Sequence, residues 1–283
     1  MPNDDTTARS VERRQHARGG ASAWKTAITH IERNQILIRG YHVDAMMGRI
    51  TFSEAIYLLL MGELPTPAIG KMIDAILVSS VDHGVSPPST IVARNVAATG
   101  APLRAGVAAG VLSFGAYHGG DVEACMRMLD GGLDEIAHGR SVHEAAEHIV
   151  EAHLGQGQRP PGFGHRLHTR DPRAVRLMQL AMELELDAGH IRLMRMLERL
   201  LDARTGPDGE AMPMNVDGAI AAVCGDLGLD YEFGNALFII SRVPGLIAHA
   251  HEERLRQSPM RQIDPKDHVY DGPSERRLPE TRK

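Results

Sequence analysis

The sequence predicts an all-α protein, and three observations lead to that expectation. Hydrophobic residues make up 43% of the chain, which is ample for a core, whereas aromatic residues make up only 4%. The apolar residues are mostly Ala, Leu, Ile, Val and Met, a set that favours helix packing over sheets. Their spacing follows the helical period along most of the 283 residues, and no internal repeat interrupts it.

Local start and stop signals place the elements in order. A short strand is expected at 36–38, followed by the turn Arg39-Gly40. Capping residues predict helices that begin after Thr51 and after Thr66, the second with Pro67 at its first position. Further helices are expected at about 89–100, 102–113, 121–129, 142–154, 172–187, 190–202 and 231–256, with one more that follows 214–217 and runs through 227.

Composition also argues against several classes of protein. The net charge of −5 gives no general attraction to nucleic acid or to anionic membranes. We expect no membrane span, because no apolar run looks long enough, and the polar N-terminus lacks a signal-peptide pattern. Residues 1–22 are polar and are expected to be disordered. Cys125 and Cys224 are expected to be buried free thiols of a cytoplasmic protein, although a disulfide stays open.

Residues 160–173 look like a ligand-binding loop. Gly162 and Gly164 flank Phe163, and glycine lets a backbone pass close to a ligand. His165 follows at once. Asp171-Pro172 is a helix start, which would place Arg173 in the first turn of a helix.

Polar residues also stand at other breaks or inside apolar runs. Asp217 opens an apolar helix, and Arg242 interrupts the apolar run 237–247. A buried arginine is costly without an anion, so Arg242 would need a carboxylate or phosphate partner. Each has a plainer interpretation: Asp217 as a helix cap, His165 as a polar loop residue, and Arg242 as a snorkelling or structurally paired side chain.

No metal site is predicted from the histidines near the middle of the chain. His143, His148 and His153 follow one another at intervals of five on one expected helix. That spacing turns successive side chains by about 140°, so they cannot share one ligand. They are interpreted as solvated helix surface.

Four blocks, in this order, resemble the citrate synthase superfamily. They read His118-Gly119-Gly120-Asp121-Val122-Glu123-Ala124, then Pro161-Gly162-Phe163-Gly164-His165-Arg166 with Asp171-Pro172-Arg173, then Asn215-Val216-Asp217, then Phe238-Ile239-Ile240-Ser241-Arg242-Val243. The resemblance implies a largely helical fold and a homodimer or higher oligomer. It also implies a cleft between a large domain (23–155 and 215–283) and a small domain (about 156–214).

The resemblance further implies roles for residues. His118 would hold a thioester oxygen, Asp217 would move the proton on the adjacent carbon, and His165 would serve the keto or hydroxyl oxygen. The other matches would bind a keto acid: His83, Arg173, Arg242, Phe238 and, across the dimer, Arg261. Asn215, Arg166 and Arg170 are candidates for contacts with coenzyme A. No prosthetic group or metal is implied, and a coenzyme A thioester would be a substrate.

Three departures bear on the reaction. Citrate synthases usually carry several dozen more N-terminal residues, have Ala-Asn where this chain has Asp121-Val122, and have one more residue between the positions of His165 and Arg173. The sequences of residues 164–173 and of Trp24-Lys25-Thr26-Ala27-Ile28 resemble those of the short citryl-CoA lyases. That branch would cleave citryl-CoA, or a related 3-hydroxy-3-carboxyacyl-CoA, to acetyl-CoA and oxaloacetate. Citrate or 2-methylcitrate synthase, and a non-catalytic CoA or tricarboxylate sensor, stay open.

Overall fold

The computed structural model describes residues 24–115, 118–119, 121–204 and 212–278. The disorder expected for 1–22 lies outside the described residues. The chain separates into two compact units, one ending at Thr51 and one beginning at Phe52. The expected division into a large and a small domain stays a prediction.

The first unit contains a three-stranded antiparallel sheet and one short helix. Its strands are β1 (Thr29–Glu32), β2 (Gln35–Ile38) and β3 (Tyr41–His42), and helix α1 (Val43–Met46) follows directly. The central strand β2 pairs Ile38 with Thr29 on one side and with Tyr41 on the other. The sequence indicated only β2 and its turn.

The second unit is helical, in agreement with the all-α prediction. Its ten helices in the described residues are α2 (Phe52–Met61), α3 (Pro67–Ser79), α4 (Pro88–Ala98), α5 (Leu103–Leu112), α6 (Asp121–Ala137), α7 (Val142–Leu154), α8 (Pro172–Glu183), α9 (Gly189–Arg204), α10 (Val216–Asp226) and α11 (Tyr231–Arg256). A single 3₁₀ turn at Pro265–Asp267 follows.

Helix α10 lies at the centre of this unit. It packs against α6, α8, α9 and α11, and eight of its eleven residues are buried. Small residues make this possible, because Gly218 lies directly against the carbonyl of Gly162 and the Met194 side chain. A side chain at position 218 would displace both neighbours.

Several helices begin where capping chemistry predicts. The Thr66 hydroxyl accepts the amide of Ile69 at the start of α3, with Pro67 next. Asp171 caps α8 in the same way. Helix α6 does not end at Leu129 as expected, and continues through Gly132. That glycine packs against Leu193 and Ile149, so it serves close helix packing and does not end the helix.

Helix α11 corrects one expectation. By length and mean hydropathy it is long enough to cross a membrane, so the prediction that no apolar run reaches that length was wrong. Within the unit it packs against α3, α4, α5 and α6, and Arg242 and Glu253 are buried on it. These contacts make it a core helix.

Both cysteines are free and buried, as the sequence indicated. Burial raises the pKa of the Cys125 thiol, and it raises the pKa of Cys224 to about 12. Neither thiol is therefore activated for nucleophilic chemistry.

A buried charge network joins four of these helices. His190 at the start of α9 contacts Asp226 of α10 through Nδ1 at 2.9 Å and Asp130 of α6 through Nε2 at 2.6 Å. The Tyr231 hydroxyl of α11 donates to Asp130 at 2.5 Å, and Arg127 lies over the Tyr231 ring. Burial tends to lower the pKa of His190, but the two carboxylates outweigh it and raise that pKa.

This network predicts a pH-dependent stability. Substituting His190→Ala should lower the free energy of unfolding by about 2 kcal/mol, because the buried Asp226 carboxylate loses its imidazole partner and keeps only its backbone amide donors. The pKa of His190 is higher in the folded protein than in the unfolded chain. The stabilisation by the protonated ring is therefore complete below the unfolded-state pKa and is lost as the pH rises through the folded-state pKa. The loss measured by urea unfolding should therefore be larger at acidic than at alkaline pH.

The matched control for this experiment is His148→Ala. His148 also contacts a carboxylate, that of Glu135, at 2.7 Å, but its side chain is 55% exposed. Solvent screening should keep its effect within about 0.5 kcal/mol. Equal effects of the two substitutions at every pH would contradict the role given to the network.

Candidate active site

A cavity of about 250 Å³ in the second unit brings together most of the side chains that the sequence singled out. Nine of the eleven predicted site residues line it: His83, His118, His165, Arg166, Arg173, Asn215, Asp217, Phe238 and Arg242. They come from loops and from the first turns of α8 and α10, with two from the interior of α11.

His118 is fixed on three sides. Its backbone forms two hydrogen bonds with Gly115, of 2.9 and 3.0 Å, and its ring stacks on Phe114 at 4.9 Å. The ring Nε2 faces the start of α4, 2.8 Å from the Ser89 hydroxyl and 3.4 Å from the Ser89 amide, which can only donate. Nε2 therefore accepts, and the neutral ring carries its hydrogen on Nδ1.

The surroundings of His118 keep it neutral. Burial, followed by the charges of Arg242 and Arg166, lowers its pKa to about 4. A neutral imidazole at physiological pH can donate one hydrogen bond from Nδ1 without acting as a strong acid. That property suits a group that stabilises a developing oxyanion.

His165 is held by the backbone of its own loop. Its Nδ1 accepts the amides of Leu167 and His168, both at 3.1 Å, so the hydrogen of the neutral ring lies on Nε2. The His83 ring meets it edge-on at 5.7 Å. Burial, with nearby cationic groups, lowers the pKa of both His165 and His83. The site therefore presents neutral imidazoles beside arginines.

Asp217 lies in the first turn of α10 and is partly exposed to the cavity. Burial, followed by the charge of Asp121, raises its pKa to about 6, against the opposing effects of Arg173 and Arg242. A carboxyl that titrates near neutrality can both take and return a proton. The plain capping role belongs instead to Asn215, whose side chain accepts the amide of Gly218 at 3.0 Å.

Asp171 fixes the arginine expected to bind a substrate carboxylate. Its fully buried carboxylate pairs with Arg173 through two hydrogen bonds of 2.8 and 3.0 Å. It also accepts the amides of Arg173 and Val216, so one side chain joins the starts of α8 and α10. Burial tends to raise the pKa of Asp171, but these contacts with Arg173 hold it below the ordinary value.

Arg242 is a buried cation that pairs with no carboxylate in the part of the chain that the structure describes. It is 2% exposed, its Nε donates to the Ser80 carbonyl at 2.9 Å, and its guanidinium lies 5.1 Å from the centre of the Phe238 ring. Among the described residues no carboxylate oxygen lies within 4 Å of it. A buried guanidinium requires an anionic partner. The cavity is where an anionic ligand would supply it.

The loop that carries His165 is seated on the start of α10. The Asn215 amide donates to the Gly162 carbonyl at 3.0 Å, and the Asn215 side chain donates to the Gly164 carbonyl at 3.0 Å. Gly162 takes a φ of +86°, and a Cβ there would lie 2.7 Å from the backbone of Gly218. Only glycine meets both requirements.

Two predicted residues lie outside this cavity. Arg170 lines a separate cavity beside Arg195 and Glu198. Arg261 is held by the buried Glu253, which also pairs with Arg94 at 2.6 Å. The predicted coenzyme A contact of Arg170 and the predicted cross-dimer role of Arg261 stay predictions.

Sequence reasoning missed four residues that shape the cavity: Ser89, Asp121, Arg159 and Asp171 as a partner of Arg173. Asp121 was marked as a departure from the synthase pattern but was given no role. Arg159 lies next to the glycine loop, which was the available signal. Ser89 gave no signal, because it stands 29 residues before His118.

The cavity favours anionic ligands. Four arginines and two aspartates line it, and with neutral histidines and both aspartates ionised the balance is two positive charges. Arginine forks match carboxylates and phosphates in geometry as well as charge. Within the described ranges, no group of three or more His, Cys, Asp or Glu side chains has a geometry that could hold a metal ion.

The His118 geometry predicts a spectroscopic result. In protein with ¹⁵N-labelled histidine, the His118 ring should stay neutral at pH 7, carry its hydrogen on Nδ1 and titrate near pH 4. His190, whose pKa is raised, should titrate above the ordinary value in the same spectra and serves as the internal contrast. A His118 resonance, assigned with His118→Gln, that shows a protonated ring at pH 7 would contradict the proposed arrangement.

Comparisons with known proteins identify the family of the chain. Residues 18–69 and 65–263 match the family model described as "Citrate synthase, C-terminal domain". Citrate synthase 2 of Bacillus subtilis (strain 168) is 32% identical over 196 residues, which are 69% of this chain and 50% of that protein. The chain spans about half the length of the first curated relatives it matches.

Two solved structures are similar over most of the chain. The citryl-CoA lyase of Hydrogenobacter thermophilus is 41% identical, with a TM-score of 0.81, covering 92% of this chain and 98% of that one. The Methanosaeta concilii ATP citrate lyase is 21% identical, with a TM-score of 0.75, covering 97% of this chain and 45% of that one, and supports the fold alone. Because the family model covers most of the chain, this protein belongs to the citrate synthase family.

Proposed function

We propose that this protein cleaves citryl-CoA, or a related 3-hydroxy-3-carboxyacyl-CoA, to acetyl-CoA and oxaloacetate. One observation carries the choice of reaction: the 41% identity to a citryl-CoA lyase extends over 98% of that enzyme's length. The curated citrate synthases of Bacillus subtilis and Synechocystis are 32% and 33% identical and are matched over about half of their length. The cavity supplies the groups that the reaction needs.

The arginines account for substrate binding in this proposal. Arg242 is buried without a carboxylate partner among the described residues, and Arg173 is aimed by Asp171. These two guanidinium groups would hold the carboxylates of the citryl moiety. Neutral His83, at the same wall of the cavity, would donate to a further oxygen.

Cleavage then requires three groups. His165 accepts the proton of the tertiary hydroxyl, and the carbon–carbon bond to the CoA-bearing methylene breaks as the alkoxide becomes the keto group of oxaloacetate. The bond electrons form the enolate of acetyl-CoA, whose oxygen accepts a hydrogen bond from Nδ1 of His118. Asp217 gives its proton to the methylene carbon, which becomes the methyl group. Exchange with solvent restores His165 and Asp217.

The raised pKa of Asp217 fits this direction. An ordinary aspartate would be almost wholly ionised at neutral pH and could rarely supply a proton. With a pKa of about 6, an appreciable fraction of Asp217 is protonated at pH 7. The proton donor is thus available where the enolate forms.

One observation favours the alternative of a citrate or 2-methylcitrate synthase. The amides of Leu167 and His168 place the hydrogen of His165 on Nε2, the form that polarises a keto oxygen in condensation. In cleavage, Nε2 must instead accept a proton, so the neutral ring must carry its hydrogen on Nδ1. The two amides must then break their hydrogen bonds to Nδ1 first. The curated relatives named as citrate synthases add weight to the same alternative.

The remaining parts of the proposal concern coenzyme A and assembly. Arg166 and Asn215 line the cavity and Arg170 lies in a neighbouring one, so these residues are proposed to contact the coenzyme A portion. We also propose a homodimer or higher oligomer in which Arg261 serves the partner's site, and a cytoplasmic location. No prosthetic group is required.

The direction of the reaction can be tested with purified protein in two assays. One offers citryl-CoA and follows the appearance of oxaloacetate, and the other offers acetyl-CoA with oxaloacetate and follows free CoA with a thiol reagent. The chain's own thiols are buried, so they should react slowly with that reagent. We expect cleavage in the first assay. Rapid CoA release in the second with no cleavage in the first would overturn the lyase proposal.

Substituting Asp217→Asn tests the proton carrier. The amide cannot give or take the proton, so kcat should fall by about 10²- to 10⁴-fold while KM changes little. Glu232→Gln is the matched control, because Glu232 lies in the first turn of α11 but is exposed and outside the cavity. Turnover by Asp217→Asn at the rate of the control would contradict the role of Asp217 as proton carrier. Binding of CoA without turnover in either variant would support the non-catalytic alternative.

A further inference from the structure

Asp121 is a second carboxylate in the cavity that the proposed reaction leaves without a task. It is the first residue of α6, close after His118, and it lines the same cavity as Asp217. Its side chain is 27% exposed, so it is not a freely solvated surface group.

Asp121 forms an ion pair that crosses the edge of the cavity. Its Oδ2 lies 3.0 Å from Nη2 of Arg159, and Nη1 of Arg159 donates to the Gly164 carbonyl at 3.4 Å. Gly164 immediately precedes His165 and takes a φ of +81°, and a Cβ there would lie 2.9 Å from the Arg159 side chain. Arg159 thus connects the start of α6 to the loop that carries His165.

The same pair acts on the neighbouring carboxyl group. After burial, the charge of Asp121 is the strongest influence that raises the pKa of Asp217. It also contributes to the raised pKa of the Cys125 thiol, which lies on the same helix. Arg159 lies 3.0 Å from Asp121 and carries the opposite charge, which offsets part of the negative charge that Asp121 adds beside the cavity.

We propose that the Asp121–Arg159 pair is a positioning and tuning device. The Asp121 carboxylate favours the protonated form of Asp217, and Arg159 offsets part of that charge while it holds the backbone before His165. This inference rests on the proposed function only for the direction of the reaction, because the effect on Asp217 holds for either direction. Neither side chain of the pair takes part in a bond-making step.

Other groups near Asp217 also influence its protonation. Cys125 of α6 is a neutral thiol, and the apolar end of Met194 of α9 lies against the next residue, Gly218. The charged groups that act on Asp217 are Asp171 and Arg173 of the α8 start and Arg242 of α11. The same cavity is also lined by Arg166 and by the rings of His83, His118 and His165. All of them stay unchanged in the variants below, so the contribution of Asp121 is isolated.

Two substitutions should shift the titration of Asp217 in opposite directions. Asp121→Asn keeps the size and an oxygen for Arg159 but removes the negative charge, so the pKa of Asp217 should fall, by about half a unit or more. Arg159→Gln leaves Asp121 unscreened, so the pKa of Asp217 should rise. A residue pair that only supported the fold would lower activity in both variants without such opposed shifts.

The measurement is made on the full-length protein in two ways. Carboxyl ¹³C resonances of labelled aspartate, with Asp217→Asn for assignment, give the titration of Asp217 directly and need no turnover. In citryl-CoA cleavage Asp217 must be protonated, so kcat should decline as the pH rises through the pKa of Asp217. In Asp121→Asn that decline should begin at a lower pH than in the unsubstituted protein. In condensation Asp217 must be ionised, so the increase of kcat with rising pH would likewise shift to lower pH in Asp121→Asn.

The control is Glu123→Gln, the next acidic residue of α6. Glu123 pairs with Arg127 at 2.8 Å and lies outside the cavity of Asp217, so neither readout should change. Unshifted Asp217 resonances in both Asp121→Asn and Arg159→Gln would overturn the inference, whatever the protein catalyses. Shifted resonances in a protein without cleavage activity would instead sink the lyase proposal alone.

Discussion

The buried carboxylate of Asp171 is the constraint on which the arrangement of the site depends. A charge removed from water is tolerated only when several donors satisfy it. Asp171 meets this need with the Arg173 guanidinium and the amides of Arg173 and Val216. One side chain thereby fixes the end of the His165 loop, the first turn of α8 and the first turn of α10. Since Asp217 follows Val216, the separation of the acid–base groups depends on this contact.

The charges around the cavity then set the protonation of its reactive groups. Burial, followed by nearby cationic groups, lowers the pKa of His118 and His165, so each neutral ring offers one defined donor. Asp217 responds in the opposite sense, because burial and Asp121 outweigh the arginines and raise its pKa to about 6. The site therefore combines neutral hydrogen-bond donors with a carboxyl that can exchange a proton near neutral pH. The same balance suits bond cleavage and bond formation, which is why the direction needs an assay.

Much of the fold and of the site was predictable because its signals are local. Caps such as Thr66 and Asp171 placed helix starts within a residue or two, and nine site candidates meet in one cavity. The misses share a cause. The helix expected at 121–129 continues as α6 through Gly132, which lies against Leu193, and the hairpin partner of β2 has no strong alternation of its own. Such effects depend on neighbours that the local pattern does not contain.

The sequence by itself determined the helical period, the capping residues, the ordered blocks that indicate the family, and the identities of the acid, base and arginine candidates. Tertiary structure alone decided how these groups work. Ser89 sets the tautomer of His118 from 29 positions away, and Asp121 meets Arg159 across 38 positions. Burial makes an anionic partner necessary for Arg242 and raises the pKa of Asp217. Both effects depend on which surfaces pack together, and local sequence patterns carry no such information.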